Sequence, residues 1–182
     1  QTLAQASPEI LVQYLMERTS QLRIEGDMNQ AILIMSQGLI GIPETYANPL
    51  RLELADMLLE SGQTTESIVE YRKLIETDVS PRLLRSGLAR AYMLEKDWVQ
   101  ARDILKELSI DFVTGTEVHM MMEINQVEPT AEGLEVANQW ATQASNPDVQ
   151  WEAFMTQAHS ALGEDRPEQA LALFTEAQEI GI

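Results

Sequence analysis

One stretch of the chain, Asn48 to Pro81, reads as two helices folded back on one another, and the same reading recurs along most of the sequence. In this reading Asn48-Pro49 opens a helix. The Asn side chain accepts from an orphan backbone N–H, and Pro at the first helical position is preset in φ. Leu50, Leu54, Ala55 and Leu58 fall at helical spacing and predict one apolar face. Gly62 ends the helix, because Gly takes the left-handed cap conformation without steric cost. Thr64 or Thr65 caps the second helix, whose apolar face is Ile68, Tyr71, Leu74 and Ile75. So short a link allows only an antiparallel hairpin. A lone hairpin leaves that face uncovered. Asp78-Val79-Ser80-Pro81 opens the next helix in the same way, so the next hairpin is the expected cover.

The recurrence has a period. Ala55 to Ala89 is 34 residues, and so is Ser67 to Ala101. Leu54, Ala55, Leu58, Gly62, Ser67, Tyr71 and Leu74 are matched in order by Leu88, Ala89, Tyr92, Lys96, Ala101, Leu105 and Leu108, with Trp98 after the turn. In type, order and period this resembles the tetratricopeptide repeat (TPR) family, whose helical hairpins repeat every 34 residues. The resemblance runs from about residue 8 to the end and is strongest over 48–109. An earlier repeat has Gly26 at the turn, then Ala31, Met35 and Gly38, and closes at Pro43. Its first helix starts at Ser7-Pro8 and carries Ile10, Leu11, Leu15, Thr19 and Leu22.

The fourth repeat is degenerate. Its first helix is expected over Thr116 to Val127, with Val118, Met121, Met122 and Asn125 inward. Pro129 stands at the turn and Thr130 caps the second helix, which puts Leu134, Asn138 and Ala141 in the consensus places. Asn138 departs from the pattern, where a large apolar residue belongs. The fifth opens with Asn146-Pro147 and continues through Trp151, Phe154, Met155, Ala158 and Leu162. Gly163 is read as its turn, followed by Ala170, Phe174 and Ala177. Gly163 to Ala170 is seven residues where Gly26 to Ala31 and Gly62 to Ser67 are five, so this turn is expected to be two residues longer, with Pro167 first in the helix. The resemblance implies an all-α chain, a right-handed α-solenoid of about five hairpins. They form a single domain over 1–182, with repeats at approximately 8–45, 46–79, 80–113, 114–145 and 146–182. No sustained two-residue alternation argues for strands.

Charge narrows the partner. The net charge is −17, spread as −7 over residues 1–71, +3 over 72–106 and −13 over 107–182. Such a balance argues against phosphate-neutralising nucleic-acid binding and fits a basic protein or peptide partner. With no Cys, the chain has no disulfide, zinc thiolate or cysteine nucleophile. No apolar run approaches the roughly 20 residues of a spanning helix, so no membrane insertion is expected. The chain starts at Gln1 and stops at Ile180-Gly181-Ile182 with an apolar face still to cover. That is the expectation for a processed chain or a fragment of a longer protein, in which more chain, a partner or a second copy covers the end.

In the TPR family the first helices line the binding groove. Carried over by position, the resemblance implies a partner-binding surface of Glu17, Arg23, Glu53, Asp56, Glu60, Arg90, His119 and Glu123. One TPR subclass clamps a peptide carboxylate with Lys and Asn; the matching places here hold Met16, Ser20, Glu53, Leu83 and Gly87, so that clamp is absent. His119 and Glu123 lie four apart, a spacing compatible with a metal, but two ligands do not make a site. Met120-Met121-Met122 offers thioethers, though such residues more often fill core gaps. There is no phosphate loop, zinc-protease motif or nucleophile elbow. Neither His159-Ser160 nor Glu164-Asp165 forms a catalytic pair, so no catalytic residue and no cofactor are expected. The reading is a non-catalytic interaction or scaffold module of a larger assembly factor. The alternatives are a periplasmic arm of a bacterial export machine and a self-associating module that docks through Leu171, Phe174 and Ile180 of its last helix. A cytoplasmic and a periplasmic location are both open.

Overall fold

A computed structural model of the chain describes residues 7–76 and 81–180. The expected helix opening at Asp78-Val79-Ser80 and the terminal Gly181-Ile182 lie outside these. Among the described residues there are ten α-helices and no strand. Two compact units divide the chain, residues 1–95 and 96–182. The first holds α1 (Pro8–Glu25), α2 (Met28–Leu39), α3 (Glu44–Glu60), α4 (Thr64–Ile75) and α5 (Pro81–Leu94). The second holds α6 (Trp98–Lys106), a 3-10 turn at Ile110–Phe112, α7 (Gly115–Val127), α8 (Ala131–Gln143), α9 (Pro147–Gly163) and α10 (Pro167–Glu179).

In the first unit successive helices pack as antiparallel neighbours, and α1 also packs on α3, and α3 on α5. Leu15 and Leu22 of α1, Ala31 and Met35 of α2, and Leu50, Leu54, Met57 and Leu58 of α3 share one core. Tyr71, Leu74, Leu84 and Leu88 are buried in the same unit. In the second unit α7 packs on both α8 and α9, and α9 on α10. Its buried side chains include Leu105, Val118, Met121, Ile124, Trp140 and Val149. Met120 and Met122 are buried too, so the methionine run fills the core.

The turns follow one plan. Gly26 and Gly62 take φ of 83° and 80°, and Lys96 and Asp165 take 61° and 57°. Each stands five residues before a fully buried small residue: Ala31, Ser67, Ala101 and Ala170. The fifth turn is therefore no longer than the others. Gly163 is the last residue of α9, and Asp165 makes the left-handed step. The same pair of closing bonds recurs: Gln63 N–H to the Leu58 carbonyl and Gly62 to Leu59, then Arg166 to Ala161 and Asp165 to Leu162.

Helix starts agree in part. Ser7 and Asn146 are N-caps followed by Pro, and the Asn146 side chain accepts from the Asp148 N–H at 2.9 Å. Thr130 caps α8 as expected, accepting from Gly133 N–H at 3.0 Å. By contrast, α3 starts at Glu44, not at Asn48-Pro49, because its buried stripe already begins at Ala47 and runs through Leu50, Leu54 and Leu58. Pro49 sits inside the helix at the cost of one backbone bond. Neither Thr64 nor Thr65 caps α4. Gln63 holds that place without a side-chain capping bond, and the Thr64 hydroxyl donates to Glu95.

The fourth hairpin is set one residue earlier than the consensus places. Gly133, Ala137, Trp140 and Ala141 are the buried residues of α8, whereas Leu134 and Asn138 are exposed. The order of sizes is changed: elsewhere a large residue follows the small one by four (Met35, Tyr71, Leu105), but here Ala137 does, and Trp140 supplies the bulk three residues later. In α9 the buried residues are Val149, Ala153, Ala158 and Ala161; Trp151, Phe154 and Met155 are half-buried and Leu162 is exposed.

Because non-Gly residues at left-handed φ carry a steric penalty, Lys96→Gly is expected to stabilise the chain by about 0.5–1 kcal/mol and Gly62→Ala to destabilise it by about as much. The shift in urea midpoint at unchanged slope checks both.

Candidate functional site: a carboxylate stripe in the first unit

Glu53, Asp56 and Glu60 lie three and four apart on α3, so their side chains share one stripe. They stand on the partly exposed side of a helix whose other side is buried through Leu54, Ala55, Met57 and Leu58. Each is held from a neighbouring helix. Arg23, in the last turn of α1, donates to Glu53 and places a second nitrogen 2.8 and 2.9 Å from the two oxygens of Glu60. Partial burial works against the guanidinium charge, but Glu53 and Glu60 outweigh it and hold Arg23 above its ordinary pKa. Pairs this exposed contribute only about 0.2–1 kcal/mol each. Their effect is on geometry more than on stability.

Asp56 is held from the other side. The Tyr71 hydroxyl of α4 donates to it, while the Tyr71 ring is fully buried. Burial, then the hydrogen bond to Asp56, push the phenol far above its ordinary value; Arg90 of α5 works the other way. The phenol therefore stays a donor. A Cβ at Gly87 of α5 would lie 2.5 Å from the Tyr71 ring and hydroxyl, so Gly87 is the notch that admits the tyrosine.

The structure thus ties Glu53 and Glu60 to Arg23 and, separately, Asp56 to Tyr71, with Arg90 and Glu60 acting on Tyr71 electrostatically. Glu17 is joined to neither group: it is exposed on α1 and accepts from Gln13 of its own helix at 2.9 Å. His119 and Glu123 are both exposed on α7 of the second unit. Among the described residues no group of three or more His, Cys, Asp or Glu is placed to hold a metal ion. The sequence reading missed Tyr71, which counted only as a core residue. The signal was a tyrosine, not a phenylalanine, at a buried position, since a buried hydroxyl needs a partner. It also missed Arg51, which ties α3 to Glu70 of α4 at 3.1 Å, and Tyr46, whose hydroxyl donates to Glu9 of α1 at 2.6 Å.

Tyr71→Phe is expected to cost about 1–2 kcal/mol through loss of a bond to a charged acceptor, and Gly87→Ala about 1–3 kcal/mol through overpacking; both read as a lowered urea midpoint. The raised phenol pKa also gives a pH dependence. The folded state holds its proton more tightly than the unfolded chain, so this contribution is intact below about pH 10 and declines as pH rises above it. That decline should be weaker in Tyr71→Phe than in the parent.

No protein-family model matches the chain, and no curated protein matches it in sequence. Solved structures do. A crystal structure of the MamA protein superposes with a TM-score of 0.72 at 15% identity, covering 93% of this chain and 91% of that one. TPR-like repeats of a kinesin light chain protein from Podosopora anserina give 0.63 at 15% identity over 95% of each chain. BtubC from P. vanneervenii gives 0.56 at 12% identity, covering 95% of this chain and 80% of that one. At these identities the likeness speaks for the fold, and the chain is an all-α helical-repeat protein with the TPR-like solenoid fold.

Proposed function

We propose that the chain is a non-catalytic protein-interaction module, and that the α1 and α3 face of its first unit receives a basic segment of a protein partner. The observation that carries this reading is the stripe of Glu53, Asp56 and Glu60, held in place by Arg23 and Tyr71. Side chains fixed before binding lose less entropy when a partner arrives. Three carboxylates against Arg23 leave the stripe acidic, and the net charge of −17 favours encounter with a cationic segment. Glu17 and Arg90 of the first unit are part of the same proposal; His119 and Glu123, on α7 of the second unit, are proposed as partner contacts of that unit by itself. As in the sequence reading, such a module suits a larger assembly factor.

A second reading, self-association, has one observation in its favour. Leu171 on α10 is 68% exposed. Phe174 and Ile180, expected to be exposed beside it, are half-buried, and Phe174 packs edge-on against the His159 ring at 5.5 Å between centroids. A solution mass that rises with concentration in the parent and not in Leu171→Glu would support this reading; a constant mass removes it.

For the first reading, a fluorescein-labelled Lys/Arg-rich peptide is titrated with the full chain and read by anisotropy. Reversal at Glu53→Lys and Glu60→Lys together is expected to weaken binding about tenfold or more, and added salt to weaken the parent's binding in the same direction. Equal affinity of parent and double variant at low salt would sink the proposal.

A further inference from the structure

The degenerate fourth hairpin leaves a cavity in the second unit. It measures about 100 Å³ and lies between α7, α8, α9 and the start of α10. A more open hollow of about 420 Å³ adjoins it and shares Asn125, Gln126, Leu134 and Ser160. The outward turn of Leu134 and Asn138, described above, places both on its wall.

The lining has an unusual chemistry. Five carboxamides meet there: Asn125 and Gln126 from α7, Asn138 from α8, Gln157 from α9 and Gln169 from α10. Gln157 is fixed by donating to the Ala137 carbonyl at 3.3 Å. The Asn125 carboxamide oxygen is shielded from solvent and has no hydrogen-bond partner among the described residues. Its carboxamide occupies the space that a side chain at Gly133 would need, since a Cβ there would clash with that oxygen. A buried acceptor left unmet costs stability, and a turn of the Asn125 side chain that brings it to the cavity lets a ligand donate to it and remove that cost.

The charged groups at the rim are already matched. Arg166 donates to Gln169 at 2.7 Å and also to Glu164, which in turn accepts from Ser160 at 3.2 Å. His159 shares Nδ1 with the Met155 carbonyl at 2.7 Å. A charged ligand therefore finds no opposite charge in need of a partner. A neutral group with both donors and an acceptor matches the carboxamides, each of which offers the same pair.

We infer that this cavity is a second binding site, for the uncharged carboxamide side chain of an Asn or Gln carried by a protein partner. It lies apart from the acidic stripe and stands or falls separately from it. The open hollow accommodates the flanking peptide, and the small enclosed part accepts the carboxamide.

The test uses the intact chain, isotopically labelled, with two tripeptides that differ in one group: acetyl-Gly-Gln-Gly-amide and acetyl-Gly-Glu-Gly-amide. The side-chain NH2 resonances of Asn125, Asn138 and Gln157 are followed by NMR. The expected result is a saturable shift with the Gln peptide and at least tenfold weaker binding of the Glu peptide. Asn125→Leu keeps the volume and removes the polar group; it should weaken the Gln peptide at least tenfold with the remaining backbone spectrum unchanged. Gly133→Ala is the second variant: it favours the helix yet displaces the Asn125 carboxamide, and should weaken binding likewise. Equal binding of the two peptides, an unaffected Asn125→Leu, or no shift at saturating Gln peptide would overturn the proposal. So would methyl glucoside shifting these resonances where the peptides do not, which would make the site one for carbohydrate.

Discussion

The fold depends on one small buried residue in the second helix of each hairpin, which at Ser67 of the first unit crosses α3 closely. Ala31, Ser67, Ala101 and Ala170 are fully buried, and Gly133 takes the equivalent place in the fourth hairpin. At Ser67 the approach is close enough for the hydroxyl to donate to the Ala55 carbonyl at 2.8 Å. A larger side chain would hold the helices apart, and the large residue four positions on would lose its socket. The left-handed turn residue, five positions earlier, sets the phase of that crossing. Turn, small residue and large residue thus form one device, repeated along the chain.

That device explains what was legible in the sequence. Gly26, Gly62 and the run Leu54-Ala55, Leu58, Ser67, Tyr71 could be read because type and spacing coincide. Lys96 was placed by analogy, and Asp165 was missed because Gly163 stood nearby and is the more usual left-handed residue. The fourth hairpin misled for a different reason. Leu134 and Asn138 look like consensus positions one residue out of phase, while the true order of sizes has its bulk at Trp140. A pattern that fixes residue type by position cannot register a swap of large for small between two neighbouring sites of one face. Pro49 misled as well, since Asn-Pro is a good helix start and only the burial of Ala47 shows that the helix began earlier.

The candidate sites were legible to a lesser degree. Position within a repeat picked out Arg23, Glu53, Asp56 and Glu60, but could not say that Arg23 spans two of the three carboxylates or that a buried tyrosine holds the third. Those links join residues 15 to 37 apart and depend on side-chain reach, which periodicity does not encode. The carboxamide cavity was hidden altogether. It exists because the degenerate hairpin packs with a Gly and an Ala where its counterparts carry more volume, and the polar residues around it looked like ordinary surface.

The division of the chain into two compact units coincides with a division of its chromophores. Tyr14, Tyr46, Tyr71 and Tyr92 all belong to the first unit, and Trp98, Trp140 and Trp151 to the second. The most buried of each kind, Tyr71 and Trp140, sit inside their respective units. Indole and phenol emission are therefore separate witnesses to the two halves of one molecule. Light absorbed at the red edge, where only indole responds, follows the fate of residues 96–182, and near-ultraviolet dichroism of tyrosine follows residues 1–95. The native sequence thus lets local opening in one half be told from opening in the other without a label or an introduced residue.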